Sequence, residues 1–223
     1  APYSIAEVLK DGTISSTPKT ITFGSGAYFA DSALSNPIKI SNRWIWTYNS
    51  IIVEGDEWAN YNQWNNVAQT GLLRVGEGFT MKGTGGVAPI TTTQNYVFVG
   101  KPNNGTISLN LNKDSSYLVG NPYPSALDAN EFIKDNLAAR NAQGKNVFNG
   151  ALYFWDHFGN SNNHLLAEYQ GGYATYSLVG GVVGINDSAL TLNDGAKGSN
   201  RPKQFIPIGQ GFFVDSYLDP AVS

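Results

Sequence analysis

The side chains able to do acid–base or metal chemistry are few and scattered. His157 and His164 are the only histidines, and Asp156 and Glu168 lie near them. A polysaccharide hydrolase or lyase could be built from Asp156, His157 and Glu168, with Asp156 and Glu168 as paired carboxylates about 5–10 Å apart. A histidine–carboxylate metal site would draw on the same residues, but their spacing matches no recognised ligand pattern. A Ser-His-Asp site has no Gly-X-Ser-X-Gly elbow to stand on. Loop histidines that simply hydrogen-bond are the plainer reading. Two acidic groups could offer oxygen ligands to calcium. One is Glu54, Asp56 and Glu57; the other is Asp187 and Asp194 with their Asn neighbours. Neither follows an EF-hand pattern, and a solvated acidic turn is the default. Glu77 sits in Gly76-Glu77-Gly78-Phe79, and a second copy reads Gly209-Gln210-Gly211-Phe212. A catalytic carboxylate would not be neutralised in a repeat that keeps its surroundings, so this step reads as a turn or bulge.

The aromatic residues give the better lead. Sugar rings present apolar C–H faces that stack on Trp and Tyr, while Asn, Gln and Asp bond the hydroxyls. Several aromatics recur in order: Trp44-Ile45-Trp46 with Tyr153-Phe154-Trp155, and Trp58-Ala59-Asn60-Tyr61 with Tyr173-Ala174-Thr175-Tyr176. Ordered matches of this kind indicate an internal duplication. It covers roughly residues 40–85 and 150–216 of one compact β module, 1–223. Matched aromatics are assigned to scaffold. Trp64 has no aromatic counterpart in this matching, and His164, Tyr169 and Asn162 belong to insertions in the second copy. These four are the expected ligand-binding residues, with the core as the competing role for Trp64.

These residues are carried by short apolar runs between Gly, Pro and Asn turns. Thr20–Phe23, Trp44–Tyr48, Asn95–Gly100, Ser116–Gly120 and Tyr153–Trp155 read as strands. Period two places Trp44, Trp46 and Tyr48 on one face. Asn104-Gly105 predicts a hairpin that pairs the 95–100 strand with Thr106–Leu111. Residues 58–64 read as extended, because their Asn content disfavours helix. Asp128-Ala129-Asn130-Glu131 has capping-box spacing and predicts the one helix, ending before Gly144. Residues 186–203 form a long polar loop. The expected class is all-β, a β-sandwich or jelly-roll-like fold with two related units and one short helix.

Composition narrows the partners. Charged residues are 14% of the chain, well below the usual quarter, and net charge is −3. No basic footprint for nucleic acid exists, and no apolar run approaches the roughly 20 residues that span a membrane. There is no cysteine, which excludes disulfides and thiolate chemistry. A chain that begins at Ala1 is read as a processed protein or a piece of a longer one.

Three stretches carry a family resemblance. They are Gly76-Glu77-Gly78-Phe79-Thr80-Met81-Lys82-Gly83, Gly120-Asn121-Pro122-Tyr123-Pro124-Ser125-Ala126-Leu127-Asp128-Ala129, and Gly209-Gln210-Gly211-Phe212. The chain resembles modules of large secreted and surface proteins of Bacteroidetes, exported through the type IX system. The resemblance implies export, an extracellular or cell-surface location, and neighbouring domains in a longer chain. It also implies O-glycosylation at Ser32 in Asp31-Ser32-Ala33 and at Ser188 in Asp187-Ser188-Ala189. The combined expectation is a non-catalytic module for adhesion or glycan binding, with a polysaccharide or surface glycan as partner. It needs no cofactor, and calcium is the one metal it would take. A ligand-free structural spacer is the alternative, and the hydrolase or lyase is the third reading.

Overall fold

The computed structural model describes residues 1–25, 38–51, 63–83, 94–158, 171–185 and 197–216. The chain starts with β1 (Tyr3–Ser4), α1 (Ile5–Val8), β2 (Leu9–Asp11), β3 (Lys19–Thr20) and β4 (Thr22–Gly24). Then come β5 (Lys39–Ser41), a 3-10 turn (Asn42–Trp44), β6 (Trp46–Ile51), β7 (Trp64–Asn66), β8 (Leu72–Leu73), β9 (Tyr96–Phe98) and β10 (Ser115–Gly120). The rest of the chain holds β11 (Leu127–Asp128), α2 (Ala129–Asp135), β12 (Leu152–His157), β13 (Gly171–Ser177), β14 (Gly180–Val182), β15 (Phe205–Ile206) and β16 (Gly211–Asp215). The fold is all-β with two short helices.

Seven strands form one antiparallel sheet in the order β14-β13-β12-β16-β10-β6-β7. Four smaller sheets surround it: β3-β2-β9, and the pairs β1-β8, β11-β15 and β4-β5. Alternation sorts the large sheet into two faces. Tyr117 and Val119 of β10, Phe212 and Val214 of β16, Leu152 of β12 and Tyr176 of β13 share the first face and one hydrophobic cluster. Ala129 and Ile133 of α2 close over that cluster. A second cluster gathers Ile5, Leu9, Ile21, Ile38, Ile40, Ile45 and Leu73, with Phe79 packed against it. The two related phenylalanines, Phe79 and Phe212, thus feed separate clusters.

The two Gly-X-Gly segments flank β10. On one side β16 makes five register pairs with β10, from Ser116 opposite Asp215 to Gly120 opposite Gly211. On the other, Gly78 N donates to Leu118 O and Gly120 N donates to Gly76 O. Both segments enter through the same turn. Glu77 N donates to Arg74 O at 3.0 Å, Gln210 N donates to Pro207 O at 3.2 Å, and Gly76 and Gly209 both have positive φ. That backbone region suits glycine.

The Gly120–Ala129 stretch acts as a clamp on the second of these segments. Asn121 is buried, and its amide donates to Ser125 O, Ile206 O and Pro207 O, while its Oδ1 accepts from Tyr123 N. Asp128 caps α2 by accepting from Asn130 N and Glu131 N, and its other oxygen accepts from Gln204. The capping-box spacing therefore marks the helix start correctly. Glu131, however, pairs with Lys134 and Arg140 and does not reach back to the cap. The helix stops at Asp135, well before Gly144.

Two local expectations fail. Residues 106–111 form no strand; β9 pairs with β2, and Leu109 and Leu111 pack on the first cluster. Asn104-Gly105 still turns, with Gly105 at φ 77°, but core burial outweighs the hairpin signal. Trp44 ends the 3-10 turn, so only Trp46 and Tyr48 share the β6 face.

Candidate functional site

The second face of the large sheet carries a run of aromatic rings. Tyr48 on β6 lies opposite Trp64 on β7, with ring centroids 4.9 Å apart. Trp155 on β12 lies opposite Tyr173 on β13, with centroids 5.2 Å apart. Phe213 on β16 sits between these pairs, 5.7 Å from Tyr48, 5.8 Å from Trp64 and 5.6 Å from Tyr173. β7 and β16 are three strand steps apart, about 14 Å. Centroids within 6 Å mean that the side chains lean together across the strip between them. Leu118 of β10, opposite Phe213, faces this side and is only 6% exposed. Tilted and edge-on contacts of this kind hold aromatic side chains in fixed positions. Trp155 and Tyr173 are 47% and 44% exposed, so the run opens to solvent at the β12–β13 side.

Glycine makes room for this layout at one point. A Cβ on Gly171, opposite His157, would lie 2.4 Å from the Trp155 indole. The ring therefore lies over bare backbone.

Polar groups gather at one end of the run. Asp215 follows Phe213 by two residues on β16, so both point to the same face. Its Oδ1 accepts from Ser116 Oγ at 2.7 Å. Tyr153, opposite Phe213, has its hydroxyl held by Asn149 Nδ2 at 2.8 Å. Burial raises the Tyr48 hydroxyl above the ordinary phenol range, and the Asp215 carboxylate adds to it. Burial also raises Tyr153; the Asn149 hydrogen bond opposes this and Asp215 reinforces it. Burial pushes Tyr173 up to about 12, helped by Tyr48 and Asp215. The three hydroxyls thus share the Asp215 carboxylate as one of the charges that raise them.

Among the expected site residues, Trp64 is brought into this run. His164, Tyr169, Asn162, Glu168, Glu54, Asp56, Asp187, Asp194, Ser32 and Ser188 lie outside the described residues. Asp156 and His157 are neighbours on β12 and so point to opposite faces. Asp156 is buried and accepts from the Asn200 side chain at 2.6 Å and the Asn200 backbone at 3.4 Å. It anchors the 198–200 segment, where a Cβ on Gly198 would strike its carboxylate. Glu77 closes its own turn, accepting from Arg74 N, Nε and Nη2. Among the described residues no three His, Asp or Glu side chains could hold a metal.

Of the matched aromatics Tyr176 is buried, whereas Trp155 and Tyr173 are nearly half-exposed. The matching itself is displaced in register. Thr80 bridges Trp46 as Phe213 pairs with Tyr153, so Trp46 corresponds to Tyr153 and Tyr48 to Trp155. Trp64, opposite Tyr48, then corresponds to Tyr173. The similarity of Trp-Ile-Trp to Tyr-Phe-Trp suggested a match displaced by two residues. Tyr48, Phe213, Tyr153, Ser116 and Asp215 join this candidate face and are not among the residues that the sequence singles out. Period-two spacing of 213 with 215 and of 153 with 155 was the available signal.

A cleft of about 350 Å³ lies beyond Trp155, lined by Phe154, Asp156, Asn200, Arg201, Lys203 and Phe205 among others. Its carboxylate is already bound to Asn200, so its polar lining is partly spent on holding the chain together.

Fold and site together define an all-β protein that presents an aromatic sheet face edged by a carboxylate. The chain belongs to the family described as "Domain of unknown function (DUF8693)", whose model matches residues 21–222. No curated protein and no solved structure matches it.

Proposed function

We propose that this chain is a non-catalytic extracellular module of a secreted or cell-surface multidomain protein, and that it binds glycan through the aromatic face of the large sheet. The observation that carries this reading is the run Trp64–Tyr48–Phe213–Tyr173–Trp155, with hydroxyls and a carboxylate at its margin. A row of rings tilted against one another offers apolar faces and edges to the C–H faces of sugars, and the polar margin suits their hydroxyls. The lightly charged, cysteine-free composition and the resemblance to exported Bacteroidetes modules support the location. The engagement of Asp156 by Asn200 supports a non-catalytic role.

Affinity electrophoresis against plant, algal and bacterial polysaccharides, with and without calcium, tests the reading. One polymer should retard the wild type. Trp155→Ala and Trp64→Ala should each weaken that retardation, while Val179→Ser, at a fully exposed position away from the rings, should not. Retardation that survives both tryptophan variants would sink the site. No retardation by any polymer would favour the spacer role.

A further inference from the structure

The charge on the aromatic face is one-sided. By alternation along the paired strands its positions include the rings of Tyr48, Trp64, Trp155, Tyr173 and Phe213, with Asp215 at one end. Among these described positions Asp215 is the one carboxylate, and none is Lys or Arg. The nearest cation along the Thr80 segment is Lys82, whose ammonium lies 4.0 Å from the Trp44 ring centroid. Thr80 lies opposite Trp46, so Lys82 and Trp44 continue the face away from Asp215. At the other end Lys113 precedes β10 and pairs with Asp114 at 3.6 Å.

Asp215 is half-buried; Ser116 Oγ donates to one oxygen, and the Tyr153 hydroxyl also interacts with the carboxylate. A carboxylate offers about four acceptor positions, so capacity is left over. The electron-rich ring faces of Tyr and Trp attract cations within about 6 Å of a centroid. A carboxylate among such rings is a setting that recognises ammonium groups, because a charge-assisted hydrogen bond adds to the ring attraction. The same carboxylate repels uronate or sulfate groups.

We infer that the Asp215 end of the aromatic face is a subsite for a protonated amine, and that the glycan class selected here carries free amino groups: oligomers or polymers of 2-amino-2-deoxy sugars. The inference rests on the glycan-binding reading and narrows it. The rings stack on sugar faces, and Asp215, at the end of the same face, takes the ammonium.

The test compares hexamers of glucosamine, N-acetylglucosamine and glucose by calorimetry. Conditions are pH about 5.5, between the ordinary carboxylate and amine ranges, and about 0.15 M salt to screen distant charge. The wild type should prefer the amino hexamer over its acetylated form by about tenfold, the size of one charge-assisted contact. Asp215→Asn should bring that ratio close to one while leaving the ring-dependent affinity for a neutral hexamer. Ser116→Ala keeps the charge but frees the carboxylate, and should leave a reduced preference. Asp135→Asn, at an exposed site at the end of α2, changes net charge equally and should leave the ratio intact. Equal affinity for amino and acetylated hexamers would overturn the inference while glycan binding stood. So would an equal loss of preference in Asp135→Asn and Asp215→Asn. Binding of no hexamer and no polymer would remove both readings.

Discussion

On one side of β10, a Cβ added to Gly78 would lie 2.6 Å from the Val119 carbonyl oxygen and 2.9 Å from Leu118. On the other side, at the corresponding Gly211, the same atom would lie 3.5 Å from that oxygen and 3.6 Å from Leu118. The turns into the two segments match, and so do the glycine spacings. What differs is the load. The first segment is wedged between β10 and β6, joined by single bridges at Glu77–Val119 and Trp46–Thr80. The second is a full strand with a ladder of five pairs. Both segments are hydrogen-bonded to their neighbours, but the wedge adds a close backbone approach at Gly78 that the ladder at Gly211 lacks.

Gly78→Ala should therefore be the most damaging change. Its nearest neighbours are the Val119 carbonyl atoms, which cannot move aside, and the expected cost is about 3 kcal/mol. Gly211→Ala meets only ordinary contacts and should stay within about 1 kcal/mol. Urea denaturation midpoints measure both. Equal losses would mean that the two segments are loaded alike and would erase the contrast.

The clamps differ in the same way. Asn121, which grips the second segment, is buried and serves three carbonyls. Asn121→Ala should cost about 2–3 kcal/mol, because buried polar groups lose their partner. The first segment's own brace is the Arg74–Glu77 pair, on a guanidinium that is more than half exposed. Glu77→Gln copies the second segment's residue and should cost less than about 1 kcal/mol. A large loss there would show that the carboxylate has work beyond its turn.

Much of this was legible in the chain, and the losses have physical causes. Gly-X-Gly-aromatic repeated twice, and the structure sets the two copies on either side of β10. Asp128 announced α2 because capping is local chemistry. The hairpin at Asn104-Gly105 failed because a turn signal says nothing about which strand has a better partner; β9 found β2. Trp64 was singled out for lacking a counterpart, yet Tyr173 is its counterpart. Residue similarity fixed the match, whereas pairing register decides which side chains meet. Asp215 does not stand out in the sequence, because a single carboxylate acquires meaning only from the rings that neighbouring strands bring to its face.

The last prediction reads that neighbourhood directly. Tyr48 comes from the first half of the sheet, and Tyr153 and Tyr173 come from the second. If their hydroxyls converge on Asp215, their titrations must show it. A phenol is neutral when protonated, and the folded chain holds the Tyr173 proton up to about 12 against an ordinary 10.0. The resulting contribution to stability is complete below about pH 10 and is lost as pH rises through 12. Tyrosinate absorbance should show a late component that Tyr173→Phe removes. Asp215→Asn should lower its midpoint only in part, since burial is the leading cause. A Tyr173 midpoint near 10 would mean that its hydroxyl stands in water, and the two halves would then share rings without sharing a polar centre.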